Sequence, residues 1–202
     1  MRSMEFIVAV LLLELTPGPN MAYLAALSLT RGRRAALAGV AGVALGLVTH
    51  AVLSALGMGA LVADSPLVYE VLRWAGVAFM LFLAWEGWQG AQDSAAEETA
   101  TASPGQLLLR GFITNVLNPK SILFFVAVVP GFLTAQGNAT ARLAVLGALY
   151  VGIATAVHIA IVLLAAELRP WLLEGPRSLW VRRGLSLLLA GAAAWLAFST
   201  SR

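Results

Sequence analysis

This sequence predicts an all-α integral membrane protein of six transmembrane helices, built as two inverted three-helix repeats with helices 1 and 4 broken. Three observations predict it. The 202 residues are 60% hydrophobic and 11% charged, with a mean hydropathy of +0.86, whereas a soluble domain is about 45–50% apolar and about 25% charged. The apolar residues gather into runs close to the ~20 that a helix needs to cross a hydrocarbon core. Two of these runs, at corresponding places in the two halves, are interrupted by proline and asparagine.

The runs cover about 4–29, 36–63, 67–90, 107–133, 143–168 and 184–200. The first places "FIVAVLLLEL" behind Arg2, as a secretory signal would, but Glu14 and the Pro-Gly-Pro of "TPGPN" interrupt the apolar core that cleavage requires. The segment is expected to stay. The second run has no Asp, Glu, Lys or Arg and repeats Ala38, Gly42, Gly46, His50 and Ser54 every four positions, a small-residue stripe suited to close helix packing. The third ends in "AWEGW", where tryptophans mark an interface. Residues 91–105, "AQDSAAEETATASPG", are small, acidic and closed by proline. They read as a linker between repeat one, about 1–90, and repeat two, about 106–202, of a single transmembrane domain. The fourth run contains "NVLNPK", the fifth contains His158, and the sixth is short for a full crossing.

Charge sets the orientation. One side would hold both termini with Arg2, Arg73, Arg142 and Arg202; the other would hold Arg31, Arg33, Arg34, Arg110, Arg169, Arg177, Arg182 and Arg183. Cytoplasmic loops carry the excess of basic residues, so both termini are expected outside. The sequence pI of about 10.0 suits an anionic membrane surface better than nucleic acid, because the arginines flank apolar runs. With no cysteine there is no disulfide framework, thiolate metal site or cysteine nucleophile. No metal site is expected from the other residues. Hydrolase, zinc-protease and nucleotide-loop motifs are absent, so any transport must draw on a gradient.

Irregular backbone at membrane depth is tolerated only where protein or water satisfies the freed polar groups. Thr16, Pro17, Gly18, Pro19 and Asn20 are therefore expected to face a cavity, and Asn115, Asn118, Pro119 and Lys120 to face it from the second half. Paired interruptions of this kind point to a transporter's substrate site, although each proline could instead simply kink its helix. Lys120 lies near the middle of its run, where an unpaired ammonium costs about 2.5–3.5 kcal/mol on insertion scales. It predicts a carboxylate partner, from a substrate or from Glu14 or Glu86. Glu14, His50, Glu86 and His158 are the candidates for proton coupling, histidine because it titrates nearest neutral pH. The plainer readings are a solvated Glu14, an interfacial Glu86, and a packing His50 bonded to a carbonyl.

These residues resemble the lysine exporter (LysE) superfamily of bacterial amino-acid efflux proteins, in the branch exporting homoserine, threonine and other neutral amino acids. The resemblance is carried by "LTPGPNM" (15–21), "RGRRAALAGVAGVALG" (31–46), "VLRWAGVAFMLFLAWEGW" (71–88) and "FITNVLNPKSILFF" (112–125). It implies six helices in the bacterial inner membrane, a small amino-acid substrate, no prosthetic cofactor, and export driven by the proton motive force. It also suggests a homodimer. Exporters of basic amino acids in the superfamily tend to replace the lysine after Asn-Pro and to place an aspartate shortly beyond it; "NPKSILFF" keeps Lys120 and has no acid. Two positions depart from the family pattern, since members commonly have an aspartate in the fifth helix where this chain offers His158, and Glu14 is not expected. An exporter of cations or basic amino acids is the alternative, disfavoured by Lys120 beside the break. A membrane enzyme using His50, His158 and Glu14 is more distant.

Overall fold

The computed structural model describes residues 2–16, 18–56, 65–92, 102–132, 139–173 and 178–199. Pro17, most of the expected linker, Arg177 and Arg202 lie outside the described residues, which contain helices and no strand. The first apolar run is two helices, α1 (Arg2–Leu15) and α2 (Pro19–Arg31), bent by 55° at their junction. Gly32, with φ at 82°, takes the left-handed conformation that turns the chain into α3 (Arg33–Ala55). Next comes α4 (Pro66–Gln92).

The second half opens with α5 (Pro104–Val116). Ser103 and Gln106 close its start with a reciprocal capping box, and Pro104 occupies a first-turn position where no amide donor is needed. After a break at Leu117 and Asn118 comes α6 (Pro119–Leu123), which continues through a π-helical turn, Phe124–Val128, and a 3-10 turn, Val129–Phe132. The chain ends in α7 (Ala139–Leu173) and α8 (Ser178–Ser199).

Among the described residues α3, α4, α7 and α8 are long and apolar enough to cross a bilayer, and the bent α1–α2 pair makes a fifth such unit. The other interrupted run does not qualify by length, since α5 alone is 13 residues, about 20 Å. Helix α8 corrects the expectation of a short sixth segment. It begins at Ser178 and takes Arg182 and Arg183 into its early turns, reaching 22 residues. Hydropathy marks where lipid is met; arginine is a good helix former and lets the helix run past that point. For the same reason α7 extends beyond its apolar run to 35 residues, with Pro170 inside its last turns.

Helix α3 is the central element, packed on α5, α7 and α2, while α4 packs on α8 and α1 on α7. The small-residue stripe explains how α3 comes so close. A Cβ at Gly42 would run into the Leu108 carbonyl of α5, and one at Gly111 of α5 would run into the Gly39 carbonyl of α3. Gly42, Gly46, His50 and Ser54 are all buried, and the Ser54 hydroxyl donates to the Phe125 carbonyl at 3.3 Å. Lipid gives little hydrophobic drive between helices, so contact at this range supplies the dispersion energy instead.

Several arginines assigned to one side gather at one end of the bundle. Arg110 makes a two-pronged pair with Glu86 at 2.7 and 2.9 Å, and Arg169 donates to the Leu29 carbonyl at 3.0 Å. Arg183 lies 5.1 Å over the Trp88 ring. Arg73 and Arg142 sit near the opposite ends of α4 and α7.

Candidate functional site

The site forms where the two breaks meet. At the first, the Thr16 hydroxyl turns back on the Leu12 carbonyl at 2.8 Å, and Gly18 is in an extended conformation (φ −158°) that any residue can adopt. Pro19 then starts α2, where its missing donor costs nothing. At the second, Asn118 caps α6, its Oδ1 accepting from the Lys120 amide at 3.1 Å, with Pro119 at the first helical position. Both prolines thus begin a new half-helix instead of distorting a continuous one.

Lys120 joins the breaks. Its Nζ donates to the Thr16 carbonyl at 2.8 Å, so a cation from the second half satisfies a carbonyl opened in the first. Within the protein its direct partner is thus a carbonyl, and neither Glu14 nor Glu86. Glu14 shares the pocket with Lys120 but is bonded to Tyr150, whereas Glu86 is held by Arg110 at one end of the bundle and does not line the pocket. His50 does not line the pocket either; it is buried against the Val116 backbone with its ring 6.1 Å from Phe125.

Glu14, Gly18, Asn20, Asn118, Lys120 and His158 line one pocket, completed by Met21 and Ser121. Its free volume is about 10 Å³, room for roughly one water molecule. Asn115 stands just behind it, donating to the Ser121 hydroxyl at 3.2 Å. Gly46 makes space for that amide, since a Cβ there would lie 2.7 Å from Asn115 Oδ1. The Asn20 and Asn115 amide oxygens and both ring nitrogens of His158 are buried without a hydrogen-bond partner. Such groups at membrane depth are costly unless something else meets them.

Glu14 is 5% exposed and is held by a residue that sequence reasoning missed. The Tyr150 hydroxyl donates to Glu14 Oε1 at 2.7 Å, while His158 Nε2 lies 3.4 Å from Oε2, close enough for electrostatic attraction but not aligned as a hydrogen bond. Tyr150 and His158 are two turns apart on one buried face of α7, with Ala154 between them. The Tyr150 ring stacks on Phe124 at 4.5 Å and meets Phe125 edge-on at 5.0 Å. The phenylalanines that follow "NPK" therefore aim the hydroxyl at Glu14. The eight-residue spacing to His158 was the available signal.

Fold and pocket together define a multi-spanning helical membrane protein whose interrupted helices enclose a pocket bearing one lysine and one glutamate. Residues 11–200 match the family described as LysE type translocator. The chain belongs to this LysE family. It is 34% identical over 169 residues, 83% of this chain and 82% of the relative, to the homoserine/homoserine lactone efflux protein of Salmonella typhimurium. It is 31% identical to an uncharacterized membrane protein of Vibrio cholerae, covering 82% and 81% of the two chains. The threonine efflux protein of Escherichia coli is 29% identical over 63% of this chain and 65% of its own. No solved structure gives a significant match.

Proposed function

We propose that the protein is a secondary-active exporter of small neutral amino acids, of homoserine, threonine or leucine size, driven by the proton motive force across the bacterial inner membrane. One observation carries the reading: Lys120 and Glu14, from opposite halves of the chain, line the same pocket at the meeting of two helix breaks. A zwitterion presents a carboxylate and an ammonium, and this pocket presents their complements. Lys120 would leave the Thr16 carbonyl to take the carboxylate, and the Asn20 amide oxygen would accept from the ammonium beside Glu14. Thr16, Pro17, Gly18, Pro19, Asn20, Asn115, Asn118, Pro119 and Lys120 form the binding region. Homoserine and threonine, which the relatives are named for, have this chemistry; homoserine lactone, named beside homoserine, keeps the ammonium but has no carboxylate. Glu14 is the one acidic residue lining the pocket among the described residues, which leaves no second carboxylate for a basic side chain.

The same reading organises the fold as two repeats, α1 to α4 and α5 to α8, each opening with a helix pair whose second member starts at proline. The arginine-rich end would face the cytoplasm. A phosphatase fused at Arg202 is then expected to be active and a fluorescent protein fused there dark. Fluorescence without phosphatase activity would reverse the orientation.

Liposomes containing only this protein and loaded with unlabelled homoserine or threonine are expected to accumulate the labelled amino acid by counterflow. An imposed proton gradient should then drive net movement against the amino-acid gradient. Counterflow of lysine or a divalent cation in place of neutral amino acids would overturn the substrate class, and counterflow of no amino acid would overturn the exporter reading.

A further inference from the structure

We propose that Glu14 carries the coupling proton, and that this proton and the substrate's ammonium group compete for the same carboxylate oxygen. The inference rests on the exporter reading and names how its site is coupled. Antiport requires a carrier that holds either the proton or the substrate but not both, since a carrier holding both would move them together. A pocket carboxylate meets this requirement directly: ionised, it attracts an ammonium; protonated, it does not.

The two oxygens of Glu14 differ in a way that suits the task. Oε1 is committed to the Tyr150 hydroxyl at 2.7 Å, which fixes the carboxyl plane, and Tyr150 is itself clamped between Phe124 and Phe125. Oε2 faces His158 Nε2 at 3.4 Å without a formed hydrogen bond, so it is the oxygen open to a proton or an ammonium. A neutral imidazole serves both states of that oxygen. Its N–H can donate to the carboxylate, and in the other tautomer its lone pair can accept from the carboxyl O–H. The titratable groups facing Glu14 are Tyr150 and His158 from α7 and Lys120 from α6; α2 contributes Asn20 and Met21 to the pocket.

The balance is one proton inward onto Oε2 for each zwitterion released outward. No covalent bond other than that O–H forms or breaks. Because the zwitterion is neutral, each cycle moves one positive charge inward, so voltage as well as a pH difference should drive export.

The test measures homoserine binding to the purified protein from pH 5 to 9, with proton release on binding followed in weak buffer. Wild type is expected to release up to one proton per substrate bound and to lose affinity, by up to about tenfold per unit, as the pH is lowered. Glu14→Gln should bind more weakly, with no pH dependence, and should lose proton-driven accumulation. His158→Gln should keep the pH dependence. Wild-type affinity that does not change with pH, in protein that does show counterflow, would sink this proposal alone; this measurement needs no variant. Uphill export by Glu14→Gln, or loss of pH dependence only in His158→Gln, would also overturn it. Absence of all wild-type counterflow would instead remove the exporter reading and this inference with it.

Discussion

Lys120→Met is expected to reach the membrane at the normal level and to export nothing above background. Methionine has nearly the reach of lysine, so the space beside Gly18, where a Cβ would sit 3.4 Å from Lys120 Cδ, stays filled. What disappears is the charge and its donor. The Thr16 carbonyl, on an exposed residue, then loses its 2.8 Å partner, a cost of about 0.5–1.5 kcal/mol. That is too little by itself to unfold a bundle whose packing lies elsewhere. A substrate carboxylate entering the pocket, however, would find no counter-charge, and Glu14 would be left unbalanced beside it. Efflux and thermal stability measured on one preparation separate the effects. Near-normal efflux from a normally expressed variant would remove Lys120 from the binding region.

Gly42→Ala should give the largest loss of folded protein of any single methyl addition to α3. The added Cβ would occupy the position of the Leu108 carbonyl oxygen, and backbone cannot swing aside as a flexible side chain can. Helices α3 and α5 would have to separate. One turn along α3, Gly46 lies against Asn115, so separation also disturbs the second break. Overpacking of this kind costs about 1–3 kcal/mol or more, read as a lower unfolding midpoint and a lower yield in detergent. Gly152→Ala on α7, where nothing lies within 4 Å, is the control. It should hold or gain stability by up to about 1 kcal/mol from helix propensity. Equal stability of the two variants would contradict the close approach of α3 to α5.

Much of this arrangement was legible in consecutive residues. Apolar runs, the proline–asparagine interruptions and the four-residue stripe from Ala38 to Ser54 are properties of short stretches, and hydrocarbon imposes them locally. Backbone in lipid must satisfy itself, and helices approach closely only over small side chains. Helix ends were less legible, as Ser178 and Ala139 show, because hydropathy reports the solvent and not the hydrogen-bond ladder.

The sequence by itself determined that the chain is a helical membrane protein with polar groups at two breaks, and that buried charges such as Glu14 and Lys120 would need partners. Only the tertiary structure decided which partners they have. Lys120 reaches Thr16 across 104 residues and Tyr150 reaches Glu14 across 136. The cost of an unpaired charge depends only on its surroundings, so it demands a partner without naming one. That choice belongs to the packing of α1 on α7 and of the Phe124–Phe125 turn on Tyr150, which sets aside Glu86 for Arg110 and gives Glu14 to Tyr150.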